Sequence, residues 1–190
     1  MNRTGFACFF VLMAIAGSAQ ASGRVYTINI GHNAPPPGVN GLDMLRYADD
    51  DAARLHGLLA SASDESFLLS DLDRDTRRRY PQLARSAREP SLAALRNVLK
   101  RIVEQTTDAV AREQRATVFL SFSGHGAISE DGEPYLVMSD GPLTRTMLRD
   151  EVLSTLRELN VHLMIDACHA GALVSGRGVF DREREAEQVP

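Results

Sequence analysis

Two short segments hold the residues best suited to covalent chemistry: Ser123-Gly124-His125-Gly126 and Asp166-Ala167-Cys168-His169-Ala170-Gly171. A thiol hydrolyses an amide when it is ionised, lies beside a base, and has hydrogen-bond donors for the oxyanion formed on attack. His125 is the type of residue that takes a thiol proton and returns it to a leaving amine, and the glycines around it leave room for a substrate backbone. The backbone amides of Gly126 and Cys168 are the candidate oxyanion donors. Cys168 is thus a candidate nucleophile and His125 its candidate general base.

Other chemistries fit less well. A metal held by His125, Cys168, His169 and Asp166 would need an adjacent Cys and His to converge, and the chain has no second Cys nearby and no regular His spacing, so no metal site is expected. A serine hydrolase lacks its G-x-S-x-G elbow. Asp71, Asp73 and Asp75 copy the opening of a calcium loop, but the glycine is missing and Gln82 stands where the closing Glu belongs. His32 either lines a cleft or is an exposed loop residue, and His56 and His162 read as structural.

Composition narrows the class. The chain has 190 residues, 44% of them hydrophobic, and a net charge of −4, enough for one domain with a proper core. Its arginines are scattered rather than gathered in a strip, which argues against nucleic-acid binding. Arg3, the apolar run over residues 6–16 and Ala19-Gln20-Ala21 have the layout of a signal peptide over residues 1–21. The run is too short to span a bilayer, so the expected product is exported, periplasmic or secreted, with no membrane span after cleavage. Cleavage removes Cys8 and leaves Cys168 unpaired; a lone Cys is most often a buried inert thiol, and the neighbours of Cys168 argue otherwise here.

The elements that must position these residues follow from periodicity. Alternating β-branched residues predict strands over 24–30 and 116–122, with shorter ones over 66–69, 135–138 and 161–165. Ala52, Leu55, Leu58 and Leu59 share one face of a helix over 48–60. Ser91 caps a longer helix whose inner face is Leu92, Leu95, Val98, Leu99, Ile102 and Val103, and Leu148, Val152, Leu153 and Leu156 mark another. Asp131-Gly132 predicts a hairpin turn, and residues 71–90 read as an exposed loop. Strands alternating with helices imply a mostly parallel sheet covered on both faces, with His32, His125 and Cys168 together at its carboxyl edge.

Two apolar strands ending in Ser-Gly-His-Gly and Asp-Ala-Cys-His-Ala-Gly resemble the caspase and metacaspase family of cysteine peptidases, and Leu45-Arg46-Tyr47-Ala48-Asp49-Asp50-Asp51-Ala52 is similar to the stretch ending Asp-Ala after that family's first strand. The resemblance implies a catalytic dyad of His125 and Cys168 and a protein or peptide substrate cleaved through a thioester, without an organic cofactor. Metacaspases cleave after Arg or Lys using two acidic residues in the specificity pocket; the matching residues are Asp166 and Asp51. The run Asp49-Asp50-Asp51 fits in more than one register and reads equally as a charged first helical turn. Calcium activation is known in the family, but its binding aspartates are not matched here.

The resemblance also implies a caspase-like three-layer sandwich in which a small-subunit region adds two strands. Residues 22–180 match the peptidase domain without those strands, and residues 181–190 form a charged tail. A rival reading follows: a truncated, inactive module that binds or regulates. Arg77-Arg78-Arg79, in the expected loop, and Arg177, beyond the nucleophile, offer sites for self-cleavage.

Overall fold

A computed structural model describes residues 23–36, 42–111 and 116–174. The chain runs through β1 (Val25–His32), α1 (Ala48–Ala60), β2 (Glu65–Ser70), α2 (Arg74–Arg79), α3 (Leu92–Ala111) and β3 (Thr117–Gly124). A hairpin region follows, β4 (Gly126–Ile128), β5 (Pro134–Met138) and β6 (Gly141–Thr144). A single turn, α4 (Arg145–Met147), passes into a π-helical segment (Leu148–Leu153), then β7 (Asn160–Asp166) and α5 (Ala170–Val174).

β2, β1, β3 and β7 pair in that order, all parallel, so all four strands finish at one edge. Helices cover both faces, as the alternation of elements requires. On one face Tyr26, Ile28, Ile30, Val118, Leu120 and Phe122 pack beneath Leu95, Val98, Leu99 and Ile102 of α3, joined by Leu148, Val152 and Leu156. On the other, Ala52 and Ala53 of α1 meet Leu68, Leu72 and Leu83. Small residues on α1 bring it close: a Cβ on Gly31 would overlap the carbonyl oxygen of Ala48. β7 lies at the sheet's margin, and its residues alternate between exposed and half-buried.

Ser91 caps α3 as expected, its Oγ accepting from the Ala94 amide at 3.1 Å, while Asp140 adds a second cap by accepting from the Leu92 and Ala93 amides at 2.6 and 3.2 Å. Gly132, at φ +85°, turns β4 back onto β5.

The exposed loop expected over residues 71–90 is corrected. Asp73 caps α2, accepting from the amides of Asp75 and Thr76 at 2.8 and 2.7 Å, and Leu72, Thr76 and Leu83 are buried. Two leucines that far apart show no periodicity in the sequence, which is why the segment looks like a loop. Arg77, Arg78 and Arg79 are therefore exposed but helical, not part of an unstructured connection. β6, which the sequence did not announce, completes a small antiparallel sheet in the order β4-β5-β6. The segments read as signal peptide and charged tail, and Arg177, lie outside the described residues. Among the described residues, no helix is long and apolar enough to cross a membrane.

Candidate active site

The parallel register brings the chemical residues to one edge. His32 is paired with Gly124 and Ser123 with Asp166, so His125 follows directly from β3 and Cys168 stands two residues beyond the end of β7. Between β7 and α5 the backbone reverses through His169, a non-glycine residue at φ +59°, and Cys168 is exposed on this turn.

The glycines flanking His125 have a different use from the one expected. A Cβ on Gly126 would overlap the carbonyl oxygen of Cys168, and one on Gly124 would press on the His32 carbonyl oxygen and the Phe122 ring. The space beside both is filled by the protein itself. Their absence of a side chain lets the Cys168 turn and the end of β1 close onto the histidine segment, which places Gly126 and Cys168, the two candidate oxyanion residues, in direct backbone contact.

His125 is 7% exposed, and its Nε2 lies 3.0 Å from the carbonyl oxygen of Asp43. A carbonyl only accepts, so Nε2 carries the proton and donates it, leaving Nδ1 of the neutral ring with the free lone pair. The Asp43 carbonyl escaped sequence reasoning because a backbone contact leaves no side-chain signature. His32, expected as an exposed loop residue or a cleft liner, is instead buried at the last position of β1. Burial pushes its pKa down, and the carboxylates of Asp71 and Glu89 only partly offset this, so His32 is biased towards the neutral form.

Tertiary partners separate the three consecutive aspartates. Asp49 is fully buried and accepts from Asn33 Nδ2 at 2.7 Å and from the Asp73 amide at 2.8 Å. Asp50 pairs with Arg79 at 2.6 Å. Asp51 instead lines a cavity of about 250 Å³ with Asp166 and with Leu55, Ser121, Ser123 and Met164. The volume lies below the roughly 300 to 1,000 Å³ of drug-sized sites, so it suits one side chain better than a cofactor.

The remaining candidates are accounted for locally. His56 Nδ1 lies 2.8 Å from Ser66 Oγ, and His162 stacks on Phe119 with ring centroids 4.7 Å apart. Asp73 is spent capping α2, and Asp75 lies 3.6 Å from Arg78. Among the described residues, no three His, Cys, Asp or Glu side chains converge as metal ligands.

Comparison with known proteins places the chain in a family. The family model of the caspase domain matches residues 24–189, which include both edge motifs and all four parallel strands. No curated protein matches the chain.

Proposed function

Because the chain belongs to the caspase-domain family and is a cysteine peptidase of that general type, we propose that it hydrolyses peptide bonds after Arg or Lys, with Cys168 as nucleophile and His125 as general base. The observation that supports the specificity is a single cavity lined by both Asp51 and Asp166, the latter two residues before Cys168. Two carboxylates facing one side-chain-sized cavity favour a cationic guest, which gains charge-assisted hydrogen bonds there.

The chemistry follows from the ring tautomer. With Nε2–H engaged by the Asp43 carbonyl, Nδ1 takes the Sγ proton and the thiolate attacks the scissile carbonyl. The imidazolium returns its proton from Nδ1 to the leaving amine, a thioester forms, and water hydrolyses it with His125 again as base. The amides of Gly126 and Cys168 hold the oxyanion. Protein or peptide is the substrate, and the steps require no organic cofactor. We further propose that residues 1–21 direct export, so that the enzyme works in the periplasm or outside the cell.

The direct test is to assay the full chain against fluorogenic peptides that end in Arg, Lys or Asp, beside Cys168→Ala as blank. Activity on the Arg and Lys peptides alone, absent in the blank, is expected. Preference for Asp, or a blank as active as wild type, overturns the proposal.

A further inference from the structure

A buried polar network runs across the sheet from β2 to the cavity. Ser66 Oγ lies 2.5 Å from Thr27 Oγ1, and Asn29 Nδ2 donates to Thr27 Oγ1 at 3.3 Å and to the Phe67 carbonyl oxygen at 3.4 Å. Ser121 Oγ lies 3.0 Å from Asn29 Oδ1. Asn29 is fully buried and Ser121 is 6% exposed, yet Ser121 is also one of the residues lining the cavity between Asp51 and Asp166.

The direction of these bonds is fixed. The Phe67 carbonyl can only accept, so the Asn29 NH₂ group faces it and Oδ1 faces Ser121. Ser121 must then give its single hydroxyl hydrogen to Asn29. What remains towards the cavity is a pair of lone pairs, so Ser121 meets a guest as an acceptor only. Its position along β3 matters as well. Ser123 pairs with Asp166 at the strand ends, whereas Ser121 pairs with Met164 one row deeper, roughly 6.6 Å further from the edge at about 3.3 Å per residue.

Resting on the reading of the cavity as a pocket for a basic side chain, we infer that Ser121, oriented by Asn29, determines specificity by favouring arginine over lysine. A guanidinium is a planar fork with five donors, able to serve a carboxylate and a deeper acceptor at once; an ammonium is a compact, strongly hydrated point charge with three. Lysine satisfies itself on Asp51 and Asp166, and arginine adds the bond to Ser121 Oγ.

The test measures kcat/KM of the full chain on two peptides that differ only in Arg or Lys at the cleaved residue. Ser121→Ala is expected to lower the value for the Arg peptide about tenfold, the size of one hydrogen bond to a charged donor, and that for the Lys peptide by less than about threefold. The isosteric pair Ser121→Thr and Ser121→Val repeats the comparison with strand-compatible side chains that differ only in the hydroxyl, and Thr is expected to keep an Arg preference that Val loses. An Arg-to-Lys ratio equal in Thr and Val variants, or unchanged by Ser121→Ala, overturns this inference alone, provided that Asp166→Asn still weakens cleavage of both peptides. If the wild type cleaves neither peptide, or Asp166→Asn leaves both unaffected, the basic-pocket reading itself fails and this inference falls with it.

Discussion

Gly126→Ala isolates the closeness of the nucleophile turn to the histidine segment. The substitution adds one methyl group and keeps the backbone amide, so it neither removes an oxyanion donor nor alters a titrating group. In the structure that methyl would overlap the carbonyl oxygen of Cys168, while its next neighbours, the Cys168 carbonyl carbon and the Ala167 Cβ, lie 3.1 and 3.3 Å away. The turn carrying Cys168 must withdraw by about 1 Å to relieve the overlap, and a displacement of that size at a reacting centre costs on the order of 100-fold in rate. Cys168 is exposed and the turn is at the edge of the sheet, so the shift is absorbed locally and the melting temperature should change little. Steady-state kinetics on an Arg peptide measure the loss, and the rate of alkylation by iodoacetamide reports whether the thiol remains accessible. A variant with kcat/KM within threefold of wild type would refute the argument that this contact sets the position of the nucleophile.

Cys168→Ala and His125→Ala should each abolish peptidase activity, and the double variant should be no worse than either, because the two act as a unit; rates measured with the same peptide decide this. Asp166→Asn should lower cleavage after Arg by roughly 1.5 to 3 kcal/mol of transition-state stabilisation, far more than any residual cleavage after neutral residues, and equal losses for both would make Asp166 a structural residue. His56 and His32 are both pushed down by burial, so below about pH 6.5 the unfolded chain takes up protons that the folded chain refuses, and stability falls as the pH drops from there. Melting temperatures between about pH 7 and 5 should show this slope, and His56→Gln, which keeps a partner for Ser66, should flatten part of it.

The strands and both edge motifs were legible because each is an apolar, β-branched run that stops at glycine or a charged residue, and because parallel connection fixes the edge at which all of them end. The same pattern logic failed over residues 71–90, where Leu72 and Leu83 are too sparse to show a period and only the cap at Asp73 betrays α2. It also passed over β6, since Gly141 and Pro142 are poor strand formers and pair there only because β5 is beside them. Asn29 and Ser121 alternate with apolar residues and so resemble the wet face of a strand. Their burial depends on α1 lying across that face, which a single-strand reading does not contain. Asp49, Asp50 and Asp51 were inseparable for the same reason: nothing in three identical residues records that Asn33, Arg79 and an open cavity are their respective neighbours.

Those neighbours also explain how one segment reaches both His125 and the cavity lined by Asp51 and Asp166. Asn33, just past β1, accepts from the Ala48 amide at 2.9 Å through Oδ1, donates through Nδ2 to Asp49, and accepts from the Leu45 amide at 2.8 Å through its own carbonyl. The first bond supplies an acceptor at the start of α1, where Tyr47 offers no side-chain cap. The third holds the stretch before the helix, which contains Asp43, against the end of β1. Asp43 is thereby presented to His125, whose Nε2 donates to its carbonyl and leaves Nδ1 unengaged by it. One helical turn further on, the same anchoring sets where Asp51 faces the cavity opposite Asp166. Buried Asp49 is thus the structural member of its run: it ties α1 to the residue preceding α2 through the Asp73 amide and leaves Asp51 to line the cavity. On the proposed reading, proton transfer at His125 and substrate choice at Asp51 are consequently coupled through a short stretch of chain, of which Asp51 alone lines the cavity.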